Sequence, residues 1–304
     1  MENCTCTNSG ENLGSPNCVE TMKYANGFLM ASLVDDAGAD NYIPALTVVN
    51  DAYITARLND TDPSQRWQFF PNVKNAIIGE RGDDVFESFE DGSQTFVEEG
   101  VASTSFILAA QSTTMIGKIK SHRCNQNGFM WIDKDGRIWG RESAGALYFV
   151  AMEPQSMSIK AAYPTPTTGF NIPVSWKWRK DMFDENIGFW DNSVVWSNKR
   201  SIIDVSGDLF TPVTTTSMVI DFSFDFGAAN SKSPWEGAVV GDFTLYNETD
   251  SLAVTITSVT ESTTVEGRYT FVFPAQTSAD VLTLSGSKSG FDLSTLPNIP
   301  LIVA

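Results

Sequence analysis

The chain has 304 residues, 42% of them apolar and 19% charged, with 37 acidic against 20 basic side chains and a formal net charge of −17. A chain of this length buries a sizeable core without staples and divides into about two domains. The acidic balance argues against a surface that coats nucleic acid or clings to anionic lipid, since both need clustered cations. The single histidine, His122, is the one residue through which a Ser-His-Asp triad or a histidine metal site would have to pass.

The opening MENCTCTNSGENLGSPNC is polar and lacks the basic and apolar regions of a signal peptide. No stretch approaches the about 20 apolar residues of a membrane span. Both features predict a protein made in a cytosol. Cys4, Cys6 and Cys18 cluster here, and Cys124 lies far along the chain beside His122. Three readings stand for these thiols: unpaired and reduced, disulfide-bonded, or a Cys4 structural zinc site, for which Cys-x-Cys is tighter than the usual metal spacing. Zinc is the only cofactor under consideration. The segment is expected to be an extended arm that orders on assembly, because it has little apolar surface of its own to bury.

DPSQRW follows as a short helical turn, with Asp62 suited to the N-cap and Pro63 to the first helical position. An acidic stretch then places Glu80, Asp83, Asp84, Glu87, Glu90 and Asp91 against Arg81 alone. A charge run of this kind reads as a solvated loop or a contact surface. Nearness along the chain is no sign of a glycosidase pair, which needs defined geometry. Ser112 to Cys124 predicts a helix, capped by its Ser/Thr start and with Met115, Ile116 and Ile119 on one face. In GFMWIDKDGRIWGRE two apolar arms flank Asp135-Gly136, a tight hairpin turn. The spacing does not suit a calcium loop, whose glycine comes later and whose Glu closes it.

Val174, Trp176 and Trp178 alternate as one strand face, after a Pro-containing loop at Ala161–Phe170. With Trp190 and Trp196 they form either a stacking platform or a packed core or subunit interface. From Ser206 to Ala304 only Lys232, Arg268 and Lys288 oppose eleven anions, with no cysteine or histidine. Here LFTPVTTT, SMVIDFSFDFG, GDFTLYN, LAVTITSVTE, GRYTFVFPA and DVLTLSGSKSG predict successive strands between turns, the signature of an Ig-like sandwich.

The run GAVVGDFTLYNETDSLAVTITSVTESTTVEGRYTFVF resembles the Ig-like modules appended to structural proteins of tailed bacteriophages. NCTC…GSPNC, RWQFFPNVKN, FVEEGVASTSF and the short helix before WIDKDGRIWG are similar to segments of major tail-tube proteins of phages infecting Bacteroidetes-like hosts. The resemblance implies a β-sandwich or barrel with one flanking helix and a long arm, forming homo-hexameric rings that stack. It brings no catalytic residues, and no nucleotide-binding, zincin or nucleophile-elbow motif is present.

The sequence therefore predicts an all-β protein with one or two short helices. A tail-tube-like domain spans 1–205 and an Ig-like sandwich 206–304. The expected role is a virion structural subunit, assembled in the bacterial host cytoplasm and not an enzyme. Its partners would be copies of itself, other tail proteins and DNA in transit through the lumen, without a membrane. A capsid or capsid-decorating protein is the alternative within that class, and a carbohydrate-binding adhesin the alternative outside it. As candidate assembly or lumen contacts the acidic run and the Trp-rich strands offer Glu80, Asp83, Asp84, Glu87, Glu90, Asp91, Trp131, Trp139, Trp176 and Trp178.

Overall fold

The computed structural model describes residues 22–90, 93–98, 100–109, 113–165, 167, 169–181, 186–224, 232–293 and 301–302. In chain order the first region gives β1 (Ala25–Ser32), β2 (Tyr42–Ile43), α1 (Asp51–Leu58), β3 (Gln68–Pro71), β4 (Lys74–Arg81), β5 (Val85–Ser88), β6 (Gln94–Glu98) and β7 (Ala102–Ala109). After α2 (Thr113–Ser121) come β8 (Asn127–Asp133), β9 (Ile138–Ser143), β10 (Ala146–Tyr148), β11 (Val150–Ala151), β12 (Ser158–Ile159), β13 (Asn171–Lys177) and β14 (Ile187–Trp190). The fold is all-β, as the sequence predicts.

An eight-stranded central sheet runs β2-β10-β9-β8-β1-β3, with β11 joined to β8 and β14 to β9. A four-stranded outer sheet runs β12-β13-β7-β4. Successive side chains of a strand point to opposite faces, and both faces of the central sheet are covered. Phe28, Met30, Phe129, Trp131 and Trp139 pack toward the outer sheet, against Phe106, Val174, Trp176 and Trp178. Leu29, Ala31, Met130, Ile132 and Ile138 pack the other way, against Ile54 and Leu58 of α1 and against Trp67. This double burial is why the middle of β8, Phe129 to Ile132, is continuously apolar and the strand is buried at all seven positions. The sheets meet at one seam, where Met152 bridges Trp178 and Arg179 N donates to Ala151 O at 3.0 Å.

The Asp135-Gly136 hairpin forms as read: Gly136 has φ 86° and its N–H donates to Asp133 O. Asp133, 2% exposed, holds the turn by accepting from Asp135 N, Arg137 N and Trp139 Nε1 at 2.8–3.1 Å. α2 and a 3₁₀ turn at His122–Cys124 cover the predicted Ser112–Cys124 segment from Thr113 on, with Met115, Ile116 and Ile119 turned to the core. DPSQRW forms a turn, its Asp62 carboxylate accepting from Ser64 N at 2.8 Å. A helix absent from the sequence reading is α1, whose N-cap Asn50 accepts from Tyr53 N at 3.0 Å.

The C-terminal region gives β15 (Ile203–Thr211), β16 (Ser217–Phe224), β17 (Phe243–Asn247), β18 (Leu252–Val254), β19 (Ser258–Glu261), β20 (Arg268–Val272), β21 (Val281–Gly286), β22 (Phe291–Asp292) and β23 (Leu301–Ile302). Two sheets, β19-β20-β16-β15-β22 and β18-β17-β21-β23, enclose a core of Phe222, Trp235, Phe243, Tyr269, Phe271 and Leu284 among others. Two strand expectations need correction. LAVTITSVTE is not one strand but β18 and β19 in different sheets, with Ile256 buried at the crossover. The strand expected at LFTPVTTT starts earlier, at Ile203, and ends before Pro212, which has no N–H for a ladder. β15 thus crosses the expected boundary at Ser206. The regions touch through polar pairs: Arg66–Asp292 at 3.0 Å, Asn59–Ser289 at 3.3 Å and Lys118–Asp204.

Candidate functional site

Between β4 and β7 the chain leaves the outer sheet and returns as a two-stranded ribbon, β5 paired with β6 and, among the described residues, with no other strand. Every residue of both strands is exposed. Phe86 and Phe96 stand directly opposite each other, ring centroids 5.9 Å apart, and Glu87 faces Thr95 on the other side. Val85, Phe86, Phe89, Phe96 and Val97 are each about half exposed, at 47–55%. An isolated two-stranded ribbon is marginal in water. This one also leaves three phenylalanines wet, each worth about 1.5–3 kcal/mol if fully buried.

The neck of the ribbon is tightly built. Gly82 N donates to Val101 O at 3.3 Å, the Asp84 carboxylate accepts from Gly100 N at 2.9 Å, and Arg81 donates to Gly100 O at 3.2 Å. The strands cross so closely that a Cβ on Gly100 would lie 1.9 Å from Gly82 O. Lys180 pairs with Glu98 at 3.0 Å beside the neck. The acidic stretch is therefore spread along a projecting element: Glu80 ends β4, Asp83 and Asp84 lie at the neck, Glu87 is on β5 and Glu90 is at the tip. Asp91 lies outside the described residues. What the sequence reading missed is the aromatic content of the same element. Its signal was the presence of Phe86, Phe89 and Phe96 within and just after the acidic run.

The tryptophans require a correction. Trp131, Trp139, Trp176 and Trp178 are 0–6% exposed and belong to one core cluster, so their indoles are neither a stacking platform nor contact surface for another subunit. Trp178 Nε1 donates to Thr104, itself fully buried, at 2.8 Å. Trp190 and Trp196 pack partly buried against the second core, Trp196 donating to Gly136 O at 2.9 Å. The Pro-containing loop leaves the opposite end of the outer sheet from the ribbon, since Asn171 pairs with Ala109 and Lys177 with Ser103.

Cys4, Cys6 and Cys18 lie outside the described residues. Cys124 is a free, exposed thiol, and among the described residues no group of three or more His, Cys, Asp or Glu is placed to hold a metal ion. Burial holds His122 below the usual imidazole range, so it is neutral at pH 7. Among the described residues no helix is long and apolar enough to cross a membrane. No family model matches the chain, and no curated protein matches it either.

Proposed function

We propose that the chain is a self-assembling structural subunit, and that its assembly is the stacked-ring tail tube of a bacteriophage virion, conducting DNA through its lumen. The observation that carries the assembly reading is the bare aromatic ribbon, Phe86, Phe89 and Phe96 on a projecting hairpin of a subunit at −17. Separated copies repel at that charge, so association needs apolar and main-chain contact, and the ribbon offers both. A ring needs heterologous contacts, one patch meeting a different patch on the next copy. The resemblance of the N-terminal segments to tail-tube proteins, and of the C-terminal sandwich to phage Ig-like modules, supports the tube among possible assemblies.

The test is electron microscopy of the purified protein over a salt series. Rings or tubes with a central channel are the expected result, their stacking weakening once screening falls within about 8–10 Å. A strict monomer at every concentration and salt overturns the reading. A closed shell or a glycan-binding monomer would turn it toward the capsid or adhesin alternatives. A chain ending at Ile202, just before β15, should still assemble, because the C-terminal sandwich has its own core.

A further inference from the structure

We infer that the ribbon of one subunit docks on the outer face of the β12-β13-β7-β4 sheet of a second copy, seating Phe86 in a hollow beside Lys160. The inference rests on the assembly reading above and names the surface that receives the ribbon. Alternate residues of β7 and β13 point into the core, and the others, with β12, form an outward face. Small side chains leave a shallow hollow there of about 290 Å³, lined by Ser105, Ile107, Ser158, Lys160, Pro173 and Ser175. Its floor is Ile107 and Pro173, apolar and half-buried. A phenyl ring fits the apolar floor, and a carboxylate beside it would meet Lys160 at the edge.

Charge selects the occupant. The chain has no Asp or Glu between Glu99 and Asp133, or between Glu153 and Asp181. Those two segments supply β7, β12 and β13. In a molecule with 37 acidic residues this sheet therefore presents cations, Lys160 at the hollow and Lys177 at the ribbon end, while the acids it meets come from β4 and the neck. The ribbon carries Glu87 and Glu90 beside its phenylalanines. On a subunit at −17 a like-charged surface would oppose those carboxylates, which costs several kcal/mol at an interface. The lining of the hollow holds no carboxylate, and there they gain Lys160. Donor and acceptor are different patches of one subunit, so the contact can propagate from copy to copy around a ring.

The experiment replaces Phe86 with p-benzoyl-phenylalanine in the full chain, irradiates the assembled protein as an equal mixture of isotopically heavy and light copies, and maps the cross-links. Cross-links between heavy and light chains at residues 105–107, 158–160 or 173–175 are expected. In parallel, Ser175→Trp, which fills the hollow, and Lys160→Glu, which reverses its charge, should each weaken association by about tenfold or more. Both sites are on the outward face, so the unfolding midpoint of the separated subunit should stay at its wild-type value. If assemblies form while Phe86 cross-links only to its own chain or to another surface, or if both substitutions leave association unchanged, the docking inference is wrong and the assembly reading stands. If the wild-type protein shows no association by microscopy, the assembly reading falls, and the inference with it.

Discussion

In the β8–β9 hairpin Trp131 and Trp139 stand directly opposite each other, stacked with centroids 6.4 Å apart. In the β5–β6 ribbon Phe86 and Phe96 occupy the same relation at 5.9 Å, edge to face. Both hairpins carry a cross-strand aromatic pair, the unit that stabilises an antiparallel ladder. The difference is what lies around them. β8 has β1 along one edge and β9 and β11 along the other, with a packed layer on each face. Among the described residues the ribbon has neither flanking strands nor a covering layer. The first pair holds the subunit together, and the second is left for something outside it.

The contrast is tested most strongly by removing one ring from each pair. Trp131→Ala should cost about 3–5 kcal/mol of folding stability, since a fully buried indole leaves a cavity the core cannot close. Phe86→Ala should stay within about 0.5 kcal/mol of wild type in the separated subunit, as an exposed position away from caps and strain does, while association is lost. Chemical denaturation of both variants measures this. A Phe86→Ala loss as large as that of Trp131→Ala would show that the ribbon is packed on its own subunit. The hairpin turns extend the contrast. Asp133→Ala should cost about 2–3 kcal/mol, because it orphans donors at Asp135, Arg137 and the buried Trp139 indole together.

How much of this was legible follows the same division. The Asp135-Gly136 turn, the buried face Val174–Trp176–Trp178, the α2 core residues and the strands of the C-terminal sandwich are written in local pattern, and local pattern is what a sequence shows. α1 escaped because eight residues with only Ile54 and Leu58 buried carry a faint periodicity; its better signals were Asn50 as cap, Asp51 in the first turn and Arg57 in the last. The splitting of LAVTITSVTE between two sheets escaped although the apolar alternation slips after Ile256, with Ser258 in phase and Val259 out of it; no Gly, Pro or Asn marks the crossover. The ribbon's acids were visible and its bare aromatics were not. A strand reading Val-Phe-Glu-Ser has the same alternation whether or not a layer covers it, and only the tertiary structure shows that none does. For the tryptophans the sequence left packed core and contact surface both open, and the sheet that faces Trp131, Trp139, Trp176 and Trp178 makes them core.

A smaller effect is expected at the ribbon's neck. Gly100→Ala forces a Cβ into the Gly82 carbonyl, and a strained close approach of this kind costs about 1–3 kcal/mol. The cost should be confined to the ribbon, which shares few contacts with the cores. Amide exchange should accelerate across residues 85–98 and stay unchanged in β8 and β9. An equal acceleration in β8 would mean that ribbon and core unfold as one unit and that the division drawn between them is false.

The smallest effect lies at the tip of the buried hairpin, where the β8–β9 turn is nearly as exposed as the ribbon. A hydrogen bond from Lys23, and then the charges of Lys23, Arg137 and Lys134, hold the Asp135 carboxyl below the usual carboxylate range. Its folded value therefore lies below its unfolded one, so the folded state binds fewer protons at mildly acid pH. The ion pair's contribution is present above the unfolded value of about 3.9 and is lost as pH falls through the folded one. Lys23 is half exposed, so water and salt screen most of the attraction. The expectation is accordingly local: an NMR titration should place the Asp135 carboxyl midpoint below about 3.9 in the wild type and shift it upward in Lys23→Ala. Amide exchange at Gly136 should quicken only slightly, because Asp133 still holds the turn from beneath. If Lys23→Ala leaves the midpoint where it was, the pair does not form in solution. The turn then owes its order to Asp133 beneath it and to Asn192 and Trp196, which both donate to Gly136 O, contacts with a neighbouring segment that set this turn apart from the ribbon tip.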